Sequence, residues 1–261
     1  MLEENTINQT RNKKWTSGPH LPGPYMFTLL LTWTAGCLDA ISYMRFTVFP
    51  ANMTGNTVLI GIGIGTGQVE HLLLSGVALL AYCLGVFLAA IVIKRDEKQY
   101  PWSGRFLATL IIETLALLSF AFLLLFPGPV TNTGSRVVLL IALSSLAMGM
   151  QSVNARHFGV AGIPTTYITG TITSTIIGIT HWFRSIFMQN ESKNEQKKQN
   201  QDKDQQQIGF QSGVWLVYVI AAALAAVAET RLPAVAVFLP LASSILVLLT
   251  AILYQARFKS T

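Results

Sequence analysis

The sequence predicts an all-α integral membrane protein with six transmembrane helices, two re-entrant or broken segments, and an inverted 3+3 repeat. Three observations lead there. Of 261 residues, 51% are hydrophobic and only 11% are charged, whereas a soluble domain carries about 25% charged residues. The mean hydropathy is +0.49, and the apolar residues come in long blocks. The basic residues fall between those blocks, where the positive-inside rule places them. Together these exclude a soluble enzyme, a disordered chain and a disulfide-rich secreted module. The net charge of +6 belongs to loops rather than to one soluble basic face, so no nucleic-acid partner is expected. Cys37 and Cys83 both lie inside apolar blocks and support neither a disulfide framework nor a metal site. No metal and no cofactor are expected.

The elements follow in order. Residues 1–24 are polar and read as a cytoplasmic N-terminus. The block after them ends in no A-x-A-like cleavage site and reads as an uncleaved anchor. A spanning helix needs about 20 mostly apolar residues, because about 30 Å of hydrocarbon is crossed at 1.5 Å per residue. Six blocks meet that standard: 25–44, 69–93, 106–126, 137–155, 212–230 and 232–255. Residues 52–65 would rise only about 21 Å as a helix, too little to span. Residues 165–187 are long enough, but they are rich in Thr, Gly and Ser and carry His181 and Arg184. Pro127, Gly128 and Pro129 mark the turn between the third and fourth spans. Residues 189–208 are a Gln/Asn/Lys/Glu tract with almost no apolar side chain, the composition of a disordered cytoplasmic linker. The chain thus divides into a first membrane repeat (25–130), the first part of a second (131–188), the linker, and the last two helices of the second (209–256).

Charge decides between topologies. With 52–65 and 165–187 re-entrant and the N-terminus inside, 15 of the 18 basic residues are cytoplasmic, leaving Arg45, Arg136 and Arg231 outside. Letting 165–187 span, alone or with 52–65, spreads the charges almost evenly. Letting 52–65 alone span, with the N-terminus outside, keeps a bias, and segment length argues against it.

The halves are self-similar. The Trp33–Asp39 run (WTAGCLD) aligns with 146–152 (LAMGMQS), and 53–57 (MTGNT) with 168–172 (ITGTI). The spacing from Gly36 to Gly55 is 19 residues, and from Gly149 to Gly170 it is 21. Each half reads span, Thr-Gly segment, span, span. Three spans per half invert the second half, and inverted repeats with interrupted helices are the usual architecture of secondary transporters.

The runs 35–43 (AGCLDAISY), 51–58 (ANMTGNTV) and 165–171 (TTYITGT) resemble the YoaK-type family of small bacterial inner-membrane proteins, a family with a domain of unknown function. The resemblance covers residues 25–255. It implies six membrane spans and carries no established activity. The chain departs from the family pattern at Ser152, where Asn is more usual, and in the long polar linker.

Polar groups inside a span cost about 2.5–3.5 kcal/mol each at the bilayer centre, so they are functional candidates. Asp39, the single acid of the repeated motif, is a proton- or cation-binding carboxylate, or else a carboxylate held by Arg45 or a backbone N–H. Glu113 lies deep in the third span with no base on its own helix to pair with. Asn52, Thr54, Asn56 and Thr57 frame Gly55; their carbonyls and hydroxyls suit an ion or small polar solute, and equally a helix cap. Tyr167, Thr169, Gly170 and Thr171 are their counterparts in the second half. Gln151 and Asn154, near Arg156, line the other side of a cavity or anchor the helix end. Glu229 and Arg231 flank the turn before Pro233 as a local ion pair. Gly61, Gly63, Gly65 and Gly67 lack a strand–loop–helix context and serve close packing or flexibility.

The expected function is therefore an inner-membrane secondary transporter or permease for a small polar or ionic solute. The solute would bind between the Thr-Gly segments, with Asp39 or Glu113 coupling a proton or cation. An uncoupled channel, or a membrane accessory protein or enzyme, is the alternative. No nucleophile or metal set points to an enzyme. The expected partners are the bilayer, the solute and a second copy in a homo-oligomer, with both termini cytoplasmic.

Overall fold

In the computed structural model, residues 24–93, 103–126, 134–157, 168–187 and 195–259 are described, and among them there is no strand. Helix α1 spans Pro24–Phe46, α2 Met53–Thr66, α3 Val69–Val92, α4 Gly104–Leu125 and α5 Ser135–His157. Then come α6 Ile168–Phe187, α7 Glu195–Arg231, the single turn α8 Pro233–Ala236 and α9 Phe238–Lys259.

Five of these stretches are long and apolar enough to cross a membrane: α3, α4, α5, Gly209–Arg231 of α7, and Pro233–Ala256. They correspond to five of the six expected spans. The sixth, α1, has 23 residues and the length to cross, but it buries Thr28, Thr32, Thr34, Asp39 and Ser42, which lower its apolarity. Its polar groups are turned into the protein, the arrangement usual for polar groups within a span.

Two packed clusters fix the direction of each helix. At one end, Phe27 and Leu31 of α1 meet Ile93 after α3, Phe106 and Leu110 of α4, Ala155 of α5, and Val247 and Ala251 of α9. At the other end, Phe46, Leu74, Phe120, Val137, Val237 and Leu241 lie in one core. The start of the apolar part of α7, Gly209–Arg231, joins the first end through Tyr25 and Phe210, whose rings are 4.6 Å apart. Its end joins the second through an Arg45–Glu229 ion pair of 2.6 Å. The long helices α1, α3, α4, α5, α7 and α9 therefore alternate in direction, and α2 lies between two helix ends on the same side.

Helix α2 has 14 residues, a rise of about 21 Å. Helix α1 stops at Thr47, which takes φ 56°, a left-handed conformation that strains a β-branched residue. The chain then bends back to the level of Asp39 before α2 starts at Met53. Gly67 closes α2 at φ 72°, where only glycine fits without strain. The glycine series has two fates. A Cβ on Gly63 would sit 2.9 Å from Leu72 N, while Gly61 and Gly65 have nothing within 4 Å. Close packing thus holds for Gly63 but not for its two neighbours.

Two expectations are corrected. Helix α7 begins at Glu195, so residues 195–208 are helical where composition reads as a structureless linker; residues 189–194 lie outside the described residues. Gln, Lys and Glu are good helix formers, no Gly or Pro interrupts 195–208, and the apolar helix downstream supplies a nucleus. Glu229 pairs with Arg45 of α1 rather than with Arg231, and Arg45 also donates to the Pro233 carbonyl at 3.3 Å. Residues two apart on a helix face different ways, whereas α1 and α7 end side by side.

Candidate functional site

Asp39 is 3% exposed and both of its oxygens are taken. The Ala51 N–H donates to Oδ1 at 2.7 Å, and the Tyr218 hydroxyl donates to Oδ2 at 2.6 Å. The carboxyl group therefore bridges α1, the chain entering α2, and α7. Arg45 does not reach it. Of the two partners expected for Asp39, the backbone N–H is present and Arg45 is not, and the Tyr218 hydroxyl is a second.

Asn56 completes this latch. It is fully buried; its Oδ1 accepts from Phe49 N at 3.0 Å and its Nδ2 donates to Phe49 O at 2.6 Å. One side chain thereby satisfies both backbone groups of a residue in an irregular segment, which a membrane interior requires. Asn52 is the N-cap of α2, its Oδ1 accepting from Gly55 N at 3.1 Å. Thr57 bonds back to Met53 O at 2.8 Å, and Thr54 and Thr57 are both exposed. A Cβ on Gly55 would meet the Phe49 ring at 2.9 Å, so Gly55 admits that ring beside the helix. We expect Asn56→Ala to orphan both Phe49 groups at about 1–3 kcal/mol each. It should lower the unfolding temperature of the detergent-solubilised protein, while Thr54→Ala, on the exposed face, leaves it unchanged.

A second polar centre lies between α4, α5 and α9. Glu113 is 1% exposed. Asn154 Nδ2 donates to its Oε2 at 2.8 Å, and the Thr109 hydroxyl donates to Asn154 Oδ1 at 2.7 Å. The Asn154 carbonyl thus faces the Thr109 hydroxyl, which also lies 2.7 Å from Phe106 O, and its N–H faces Glu113. Glu113 Oε1 has no hydrogen-bond partner, nor does Gln151 Oε1. Gln151 is anchored through Nε2, which donates to Leu31 O of α1 at 2.8 Å. Beside them, Thr114 and Ser244 hydroxyls are 3.1 Å apart, and Thr34 bonds Ser243.

The expected residues thus fall into two groups. Asp39 and Asn56 both hold the segment between α1 and α2, through Ala51 and Phe49, while Glu113 meets Asn154 inside the bundle and Gln151, on the same helix as Asn154, reaches Leu31 O of α1. Helix α2 packs on α3 and α6 packs on α7, so the two Thr-Gly segments rest on different helices. Gly170 is exposed on α6; the side chains of Thr169 and Thr171, and the whole of Tyr167, lie outside what the structure describes. Sequence reasoning missed Tyr218, Thr109, Ser243 and Ser244. A hydroxyl within an apolar span was the signal available for each.

The profile of the family described as "Protein of unknown function (DUF1275)" matches residues 27–252. The chain belongs to this family. It is also 36% identical over 148 residues to the UPF0700 transmembrane protein YoaK of Bacillus subtilis (strain 168), a match that takes in 56% of this chain and 63% of that protein. The chain therefore covers less than two thirds of that relative's length. No solved structure matches. Family and apolar helices together make this a multi-pass membrane protein, which is the architecture expected from the residues.

Proposed function

We propose that the protein is an inner-membrane secondary transporter for a small polar or ionic solute, proton- or cation-coupled, with both termini cytoplasmic. In this reading six helices span, α2 and α6 are re-entrant from opposite faces, and the halves form an inverted 3+3 repeat. The observation that carries the reading is the broken segment after α1, drawn into the bundle and held there by Asp39. Irregular backbone at membrane depth is tolerated only where it is buried in protein or lines a cavity, and in transporters such segments form the site.

The repeat draws support from two equivalent crossings. A Cβ on Gly36 of α1 would lie 2.6 Å from Tyr218 O and 3.1 Å from Ala221 Cβ of α7. A Cβ on Gly149 of α5 would fall on Tyr82 O of α3 and lie 3.0 Å from Val86 N. Gly36 and Gly149 are the glycines that the sequence alignment pairs, and each meets the carbonyl of a tyrosine. Tyr218 is followed three residues later by Ala221, and Tyr82 by Gly85, the residues that flank the two crossings. Helix α1 runs opposite to α5, as inversion requires.

The charge distribution supports the orientation: the side holding the start of α1 carries most of the basic residues. No nucleophile–base pair occurs among the groups described at either polar centre, so the reading is not enzymatic. The test is uptake by purified protein in liposomes across amino acids, sugars, nucleobases, carboxylates and inorganic anions, under an imposed pH gradient. One solute class is expected to stabilise the protein thermally and to move together with protons or a cation. Conductance without solute–ion stoichiometry would make it a channel. Neither flux nor stabilisation across the panel would overturn the transport reading.

A further inference from the structure

We propose that Glu113 is a proton-binding site, and that within the transport reading, on which this rests, it rather than Asp39 carries the coupling ion. The two buried acids look alike in the sequence and differ in what surrounds them. Both Asp39 oxygens accept hydrogen bonds, from a backbone N–H and a tyrosine hydroxyl that also hold the broken segment in place. Releasing either would undo the latch. Glu113 has one oxygen held by Asn154 and one, Oε1, buried without a partner. A fully ionised carboxylate with an empty oxygen in an apolar bundle is costly, and a proton on Oε1 removes that cost.

The site is built for a proton and not for a metal cation. Hard cations take six or more oxygen ligands. Around Glu113 the nearest amide is turned with its N–H inward, and its carbonyl is already occupied by Thr109. Two oxygens of this centre are open, Glu113 Oε1 and Gln151 Oε1, too few for such a cation and enough for a single proton. Thr109 is the positioning residue: its hydroxyl lies 2.7 Å from both Phe106 O and Asn154 Oδ1, and it holds the amide carbonyl away from a carboxylate that would repel it. Asn154 then donates to Oε2 whether Oε1 is protonated or bare.

No cationic side chain pairs with Glu113 among the described residues. Each element packed against α4 has titratable groups, and they lie elsewhere. On α4 itself Arg105 is exposed at the start. On α5, Arg156 is exposed, His157 stacks on Phe106 with ring centroids 5.3 Å apart, and Arg136 bonds the Leu123 and Phe126 carbonyls at the far end. On α9, Tyr254 is ten residues past Ser244, about 15 Å along the helix. On α3, which touches α4 more lightly, Glu70 and Cys83 are exposed, and Tyr82 and His71 are half-buried. Phe106 is two turns of α4 from Glu113, about 10 Å, so His157 belongs to the mouth of the bundle and not to this carboxyl group.

The test uses dicyclohexylcarbodiimide, an apolar reagent that adds to protonated carboxyl groups and leaves an N-acylurea, on the full chain in liposomes. Peptide mapping by mass spectrometry reads each acid separately. We expect labelling at Glu113, falling at least tenfold as the pH is raised, and none at Asp39. Glu113→Gln should abolish the label and remove one carboxylic-acid C=O band from the infrared spectrum. The wild-type map stands alone if that variant does not fold. Thr109→Val should change the pH at which labelling falls, a shift that a merely space-filling hydroxyl would not produce. Absence of label at Glu113 at every pH, or a label at Asp39 instead, overturns the proposal while leaving solute uptake to be judged on its own assay. Labelling at Glu113 without any solute flux overturns the transport reading and keeps the proton site.

Discussion

Gly149→Ala and Gly85→Ala should each unfold the protein at a much lower temperature than wild type. At Gly149 a methyl group would fall on the Tyr82 carbonyl oxygen, and at Gly85 on that of Leu146. Both obstacles are backbone, and neither can rotate away. Helices α3 and α5 approach through this reciprocal pair of glycines, in the manner of small-residue interfaces in membranes. A Cβ forces the axes apart and loosens the packing of Ala78, Leu140, Ala147 and Met148, all buried in the adjoining core. Overpacking typically costs about 1–3 kcal/mol, occasionally more, and two rigid backbones meeting head-on belong at the upper end. Gly61→Ala and Gly65→Ala are the controls. Nothing lies within 4 Å of either, and alanine in a helix is favoured over glycine by about 0.5–1 kcal/mol. They should leave the unfolding temperature unchanged or raise it. Equal losses at all four positions would show that α3 and α5 do not cross here.

Asp39→Ala should destabilise the fold far more than Asp39→Asn. Alanine orphans the Ala51 N–H and the Tyr218 hydroxyl in one step, at about 1–3 kcal/mol for each buried group. Asparagine keeps an acceptor for the Ala51 N–H and leaves the Tyr218 O–H proton as the one orphaned donor, so its cost should be that of one buried group rather than two, about 1–3 kcal/mol. Tyr218→Phe should fall between them, because it leaves one buried carboxyl oxygen without a donor. In a double-mutant cycle of thermal unfolding, Asp39→Ala with Tyr218→Phe should cost less than the sum of the two, as contacting residues couple. Strict additivity would mean that the hydroxyl and the carboxyl group do not meet. The cycle separates the latch from the proton site, since Glu113 shares no partner with either residue.

The bilayer imposes strong rules on sequence, and much of the fold follows from them. Hydrocarbon thickness fixes helix length, so the spans from α3 onward stand in the composition. Residues 52–65 were marked as too short to cross, and α2 has 14 residues. The cost of a buried polar group singled out Asp39 and Glu113 as acids that must be explained. Asn52, whose residue type suits a solute site or a cap, caps α2, with its Oδ1 within reach of Gly55 N.

Composition and charge alone give the class of protein, the stretches beyond α1 that are long and apolar enough to cross a membrane, and the polar residues within the apolar blocks. Those properties depend on local composition and on a solvent whose thickness is known. The partners come from helix packing: Tyr218 on Asp39 across 179 residues, Glu229 on Arg45, Asn154 on Glu113, and the two glycines where α3 meets α5. It also leaves one acid saturated and the other with an open oxygen. Each outcome depends on which helix packs beside which, and hydrophobic periodicity does not encode that. Lipid tails are as apolar as a leucine face, so the choice of neighbour falls to small residues and to hydrogen bonds between distant segments.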